Sequence, residues 1–381
     1  MLMQLLCADV RAAAHSQAER RQAMPDICIV TRSMQRGGCE RVVQQLSAYL
    51  LRTGWGVHLL LTEDRPVEYA VPDGCRLTVI GTRSGNALAN KWMQYRALRR
   101  SIVEQRPGVV LAMPEEIGIF TVLAMCGTGV PVVVSERNNP FVMPNKRITR
   151  LLRRIAYPLA AGLIFQTEGA AGFFPKRLQK KGVVLPNPLD ASRLGAPWDG
   201  EREKRVVYVG RLEPQKNVPL LLHAFSAFLQ RHPGWVLDLY GEGRQEAALR
   251  ALADSLLPKE AARFFGSCGD VLDRIRTAGV FVLPSDYEGM PNALMEAMAL
   301  GLPCIATDCP TGGPAALIEH GVNGLLVPVG DAPAMAAALG HLADEPVTAN
   351  KLGENARRIA GRLAIDRVAA RWAAYLASVI R

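Results

Sequence analysis

The chain has 381 residues, 49% of them hydrophobic, and a formal net charge of +10 at pH 7. That length predicts two domains with enough apolar content for two cores, and no apolar run is long enough to span a membrane. The eight cysteines are scattered, with no C-x-x-C pair and no metal-ligand spacing with histidine. This argues against a metal site and reads as reduced thiols in a cytosolic protein.

The charge is unevenly placed. Residues 1–190 hold 25 Lys+Arg against 14 Asp+Glu, a balance of +11, and residues 191–381 hold 20 against 21, a balance of −1. The first half therefore expects an anionic partner, such as a membrane surface, a lipid diphosphate or a nucleic acid. Residues 1–24 carry charges where a secretory signal would need an apolar core. They read as an N-terminal extension, or as sequence ahead of a later start at Met24.

Asp26 to Thr31 reads as a first strand, followed by the glycine pair Gly37-Gly38 and a helix from Arg41 to Thr53. Glycines between strand and helix let a backbone approach a ligand closely. Further strands are expected at Gly56–Thr62, Arg76–Ile80, Val109–Ala112 and Val130–Ser135, with helices between them such as Lys91 to Gln105. That alternation predicts a parallel sheet covered by helices. His58 sits in an apolar strand and reads as a packed histidine. The polar cluster Ser135-Glu136-Arg137-Asn138-Asn139-Pro140 ends a strand on the side that faces the cleft of a doubly wound sheet.

Asn145 to Tyr157 predicts an amphipathic helix. At about 100° per residue, Lys146, Arg147, Arg150, Arg153 and Arg154 share roughly a third of the wheel, and Ile148, Leu151, Leu152 and Ile155 lie opposite. The expected arrangement is apolar side inward and the five cations facing an anionic membrane. Gly162–Thr167 reads as a late strand, with Thr167 able to cap the next helix. A Pro- and Gly-containing linker at Gly195 to Lys204 then separates a first domain, 25–195, from a second, 204–365.

The second domain restarts the pattern. Arg205–Gly210 is a strand running into Arg211-Leu-Glu-Pro-Gln-Lys216-Asn217, a loop whose two cations suit a diphosphate. Trp235 to Gly243 is a strand ending in a glycine pair, and Ala262 to Asp270 a strand and loop. Ala278–Pro284 is a buried strand, followed by a loop carrying Glu288 and a helix carrying Glu296, with Pro291 suited to its first turn. A helix N-terminus at a sheet edge favours an anion. Carboxylates on both sides of such a site need a reason, and a ligand with hydroxyls flanking its phosphates supplies one. A nucleotide-sugar is such a ligand. Asp366 to Ile380 is a terminal helix.

Glu288-Gly-Met-Pro-Asn-Ala-Leu-Met-Glu296 resembles the E-x7-E signature of retaining GT-B glycosyltransferases, in particular glycosyltransferase family 4, and Gly210-Arg211-Leu-Glu-Pro-Gln-Lys216-Asn217 resembles the family's second hallmark. The resemblance covers the chain from about Asp26 onward. It implies a GT-B fold, two Rossmann-like doubly wound parallel-sheet domains facing a cleft, with the donor on the second domain and the acceptor on the first. The terminal helix, 366–381, is implied to cross back to the first domain.

The resemblance further implies a UDP-activated hexose or N-acetylhexosamine as donor. Arg211 and Lys216 would hold its diphosphate, with Gly210 and the backbone amides of Gly289, Met290, Pro291 and Asn292 around the helix start. Glu296 would take the ribose and Glu288 the donor sugar. Gly37 and Gly38 would face the donor phosphates across the cleft, and Gly266 and Ser267 would border the base. Glu136 and Arg137 would lie near the acceptor or donor phosphates. No metal or other cofactor is expected. The implied reaction is front-face transfer with retention, with a covalent intermediate on Glu288 as the rival route.

The basic first half points to a polyprenyl-diphosphate-linked saccharide acceptor and to a peripheral place on the inner face of the cytoplasmic membrane. The chain departs from the family pattern at Ala316, near where a glutamate is common. Alternatives are a GDP-mannose-dependent mannosyltransferase, a nucleotide-sugar epimerase on the same fold, and a non-catalytic nucleotide-sugar-binding protein. Nucleic-acid binding rests on charge alone, without aromatics interleaving the basic helix.

Overall fold

Continuous runs such as VVLA, VVVS and AGVFVL are apolar on both faces, which suits central strands of a parallel sheet sandwiched between helices. The computed structural model describes residues 26–81, 87–196 and 198–380. The expected extension at residues 1–24 lies outside them.

The first sheet is built from β1 (Asp26–Thr31), β2 (Gly56–Leu61), β3 (Arg76–Val79), β4 (Val109–Ala112), β5 (Val132–Ser135), β6 (Gly162–Phe165) and β7 (Gly182–Val184). Its order is β3-β2-β1-β4-β5-β6-β7 and every pairing is parallel. The second sheet uses β8 (Glu203–Val209), β9 (Val236–Tyr240), β10 (Ala262–Gly266), β11 (Ala278–Leu283), β12 (Cys304–Thr307) and β13 (Leu325–Val327). Its order is β10-β9-β8-β11-β12-β13, again all parallel. Both sheets reverse direction of growth beside their first strand, and ligands of doubly wound sheets bind at that switch point. The two switch points carry the Gly37 and Arg211 loops. Among the described residues, no helix is long and apolar enough to cross a membrane.

The helices that matter below are α1 (Gly38–Arg52), α2 (Ala87–Gln105), α3 (Glu115–Met125), α4 (Arg147–Leu159), α5 (Val218–Leu229), α6 (Asn292–Ala299) and α7 (Ile365–Val379). One core runs through both domains, joining Met34, Val43 and Leu46 to Leu294, Met298 and Trp372. Helix α7 follows the second domain in sequence but packs on the first, against α1 and β4. Its Trp372 is fully buried, and the indole donates to the Pro186 carbonyl at 3.2 Å. Tyr375 donates to the Lys181 carbonyl at 2.7 Å and accepts from the Leu163 amide at 3.0 Å. Position 162 is glycine because a Cβ there would overlap the Tyr375 hydroxyl. His58 is buried with Nε2 2.9 Å from Thr78 Oγ1, and Thr167 accepts from the Ala170 amide as the cap of its short helix.

Helix α4 corrects the expected orientation. Arg153 is buried, not membrane-facing: its guanidinium meets Glu136 Oε1 at 3.1 Å and donates to the carbonyls of Met143 and Pro140. Arg150 is likewise turned in, donating to the carbonyls of Pro144 and Val142 at 2.7 Å each. Lys146, Arg147 and Arg154 remain exposed, and so do Ile148, Leu151 and Ile155. Two of the five cations thus turn inward because the 140–144 loop offers unpaired carbonyls and Glu136 offers a carboxylate, and guanidinium donors satisfy both. Glu136 also accepts from the Tyr157 hydroxyl. It therefore lies under α4, away from the cleft side assigned to it from the sequence.

Trp372→Ala should destabilise the protein by about 3–5 kcal/mol, the usual loss for a fully buried tryptophan, read from urea unfolding; a loss below about 1 kcal/mol would contradict α7 as a structural part of the first domain. Glu136 gives a pH signature. Burial first, and the Glu115 carboxylate second, push it up from 4.5 to about 8, against the opposing pull of Arg153 and Tyr157. The folded protein then holds a proton that the unfolded chain has lost, so stability falls as pH rises through that window and levels above it. In Glu136→Gln this fall should flatten; an unchanged slope of unfolding free energy against pH would refute the assignment.

Candidate functional site

The loop after β8 is shaped by close backbone packing. A Cβ on Gly241 would overlap the Gly210 carbonyl and one on Gly243 the Leu212 carbonyl, so the two glycines let the β9 turn press against Gly210 to Leu212. Tyr208 holds the Arg211 carbonyl at 2.9 Å. Asn217 adopts a left-handed conformation, φ 44°, and its side chain caps α5 and donates to Asp286 at 2.6 Å. Gln215 binds Asp286 and Tyr287 through backbone and side chain. This lacing delivers Lys216 to Glu288: Nζ pairs with Oε1, which also accepts from Ser285 Oγ at 2.6 Å. Glu288 is 5% exposed. Arg211 is exposed and forms no ion pair among the described residues.

Glu288 leads into α6. Thr311 Oγ1 donates to the Glu288 carbonyl at 3.1 Å, and a Cβ on Gly313 would overlap the Gly289 carbonyl, so the glycine-rich segment after β12 closes over this loop. On its other side a Cβ on Gly289 would collide with Gln166 Oε1 and the Arg137 carbonyl. The first domain therefore lies directly on the start of α6. Gln166 accepts the Met290 amide at 3.1 Å. Met290 was expected to offer that amide to a diphosphate; here an acceptor 124 residues away occupies it. Pro291 precedes the first helical residue, and Asn292 donates to the Gly38 carbonyl at 3.2 Å.

Asn187, which the sequence did not single out, joins these parts. It is buried, and its Nδ2 donates to the Met290 carbonyl at 3.1 Å and to Asn292 Oδ1 at 2.7 Å. Its Oδ1 accepts from Arg137 Nη2 at 2.7 Å and from Gln166 Nε2 at 2.9 Å. The remaining donors of Arg137, Nε and Nη1, are buried without a hydrogen-bond partner, and its guanidinium lies 5.8 Å from the Trp372 ring centroid. Arg137 thus reaches the cleft while its neighbour Glu136 does not.

Glu296 is the second case of a partner unseen in the sequence. Arg41 from α1 pairs with its Oε1 across 255 residues of chain, while Arg41 Nε donates to Tyr69 at 3.2 Å. No local pattern signals this contact; Arg41 only follows the glycine loop. Gly37 sits so close to Glu40 that a Cβ would overlap its carboxylate, and Gly38 faces Asn292. Burial raises the pKa of Glu40, opposed by the nearby charges of Arg32, Arg211 and Arg137. At the far end, Arg36 donates to Ser267 Oγ at 3.2 Å, and the Ser267 amide is bound to Glu242 at 3.1 Å. Gly266 has φ +66°, a turn that glycine adopts without strain.

Lys146, Arg147, Arg150, Arg153 and Arg154 form no part of this cluster. What the structure brings together is Arg211, Lys216 and Glu288 on one side, Gly37, Gly38, Arg41 and Arg137 on the other, and α6 with Glu296 between. Cations at a helix start can neutralise a diphosphate, and carboxylates beside it can accept sugar hydroxyls.

Residues 37–188 match the family described as "Glycosyl transferase 4-like domain" and residues 198–359 match "Glycosyl transferases group 1". An exopolysaccharide phosphotransferase of Streptomyces coelicolor is 34% identical over 219 residues, 56% of this chain, but the match spans only 23% of that protein. The GalNAc-alpha-(1->4)-GalNAc-alpha-(1->3)-diNAcBac-PP-undecaprenol alpha-1,4-N-acetyl-D-galactosaminyltransferase of Campylobacter jejuni is 26% identical, covering 77% of this chain and 80% of that enzyme. Among solved structures, Anabaena HepE in complex with UDP and glucose superposes with a TM-score of 0.81 at 18% identity, covering 93% of this chain and all of that one. The chain belongs to the glycosyltransferases, a glycosyl transferase 4-like domain joined to a group 1 domain in the GT-B fold.

Proposed function

We propose that the protein is a retaining glycosyltransferase that moves a hexose or N-acetylhexosamine from a UDP-sugar to a lipid-linked saccharide. The observation that carries this reading is the Lys216–Glu288 pair beside the uncommitted Arg211 at the start of α6. A cation touching a carboxylate at a helix start suits a bond that breaks between them, with negative charge growing on a diphosphate and positive charge on a sugar carbon. The UDP bound in Anabaena HepE and the undecaprenol-linked acceptor named for the Campylobacter jejuni enzyme support the donor and acceptor classes.

In this reading Arg211 and Lys216 stabilise the leaving diphosphate in the transition state, the task a metal ion performs elsewhere. Glu288 exchanges its bond from Lys216 for the donor sugar and supports charge at the reacting carbon. Glu296 releases Arg41 to accept from the ribose hydroxyls. Arg137 turns its two free donors toward the phosphates or the acceptor. The acceptor hydroxyl attacks on the face the diphosphate leaves, and a diphosphate oxygen takes its proton. A lipid-linked acceptor places the enzyme at the inner face of the cytoplasmic membrane.

Nucleoside-diphosphate release should be measured with a panel of UDP- and GDP-sugars, with and without a lipid-linked saccharide extract. Release confined to a UDP-sugar and requiring the extract is expected; conversion of a UDP-sugar with no acceptor would replace this reading with an epimerase. Lys216→Ala and Glu288→Gln should each lower turnover about a hundredfold or more. Calorimetry with UDP alone separates the two carboxylates. Glu296→Ala should weaken UDP roughly tenfold, the scale of a hydrogen bond to a charged group, whereas Glu288→Gln should leave UDP within about twofold because UDP lacks the transferred sugar that Glu288 would hold. Equal losses would remove the division of roles.

A further inference from the structure

Helix α4 leaves an apolar stripe uncovered. Ile148, Leu151, Ile155 and Leu159 are 60%, 53%, 51% and 56% exposed. Their spacing of three, four and four residues puts them in one line along the helix, about 16 Å long at about 1.5 Å per residue. The helix is not loosely seated. Arg150 and Arg153 bind four carbonyls of the 140–144 segment, Arg153 also pairs with Glu136, and Tyr157 donates to Glu136. Rotating the stripe inward would break all of these bonds inside the protein, so the exposure is built in.

The rim of the stripe identifies what meets it. Helix α4 contains no acidic residue, and Arg147 and Arg154 are exposed along one edge. Lys146 precedes the helix, and Lys181 sits at its other end, donating to the carbonyls of Pro158 and Ala160. A second copy joined by two-fold symmetry would set this cationic rim against itself. An anionic bilayer accepts both features, apolar side chains below the headgroups and arginines among them.

We infer that α4 docks the protein on anionic membrane by inserting Ile148, Leu151, Ile155 and Leu159 into the interface, with Arg147 and Arg154 at headgroup level. The attachment is hydrophobic first and electrostatic second, the reverse of a basic face resting on a charged surface. The loop that Arg150 and Arg153 grip begins at the end of the segment carrying Arg137. The docked helix therefore ties the cleft edge to the bilayer. The role of that tie in taking a lipid-linked acceptor rests on the transferase reading; the docking does not.

The test is co-sedimentation of the full chain with vesicles of phosphatidylcholine, alone or with roughly one third phosphatidylglycerol. These vesicles hold no saccharide, so the result is independent of the transferase assay. Wild type should bind the anionic vesicles and retain part of that binding at high salt. Ile148→Ser/Leu151→Ser/Ile155→Ser should bind about tenfold more weakly or worse on both vesicles. Arg147→Gln/Arg154→Gln should lose only the preference for phosphatidylglycerol. Leu151→Trp, which keeps the surface apolar, should bind at least as tightly as wild type. The inference is overturned if wild type stays in solution, or if the triple serine variant binds like wild type. It is also overturned if that variant instead dissolves a dimer, or melts well below wild type because another part of the chain covers the stripe.

Discussion

A carboxylate taken out of water must be paired or hydrogen-bonded, because an isolated buried charge costs several kcal/mol. That constraint organises the cleft. Glu288 is held by Lys216 and Ser285, and Glu296 by Arg41. Each pairing fixes a loop: the first ties the segment after β8 to the segment after β11, and the second ties α1 to α6. The result is a cleft whose two carboxylates are satisfied before any ligand arrives and can be handed to a ligand that offers equivalent partners.

The closed arrangement of the two domains follows from the same economy of polar groups. The backbone amide and carbonyl of Met290 lie just ahead of α6 and find no partner inside the helix. Gln166 and Asn187 of the first domain supply partners for Met290 and Asn292. Glycine at 289 and 313 is what allows backbone segments to come this close. Because Asn187 also holds Arg137, the position of a cleft cation is coupled to the contact between the domains.

Helix α4 shows polar satisfaction outranking hydrophobic burial. Two arginines turn inward because carbonyls of an irregular loop and the carboxylate of Glu136 need donors there, and a guanidinium brings several in a planar fork. Four large apolar side chains are left outside as a consequence. In an isolated soluble domain that exposure is unfavourable; beside a bilayer it becomes an attachment.

Most strands and their order of appearance were legible in the sequence, because apolar runs bounded by glycine and proline are local signals; the short β7 and β12 were not singled out there. So was the placing of Glu288 before a helix and Glu296 within it, since both lie inside one strand–loop–helix unit, and so was the glycine-rich character of the facing loops. The sequence also determined that α4 has two unlike sides. Only the tertiary structure decided which side goes in, since that depends on carbonyls and a carboxylate contributed by other segments. It alone decided that Arg41 meets Glu296 and that Asn187 meets Asn292, 105 residues away. Such contacts join elements that are neighbours only after two sheets have formed and closed on each other, and no periodicity along the chain encodes them.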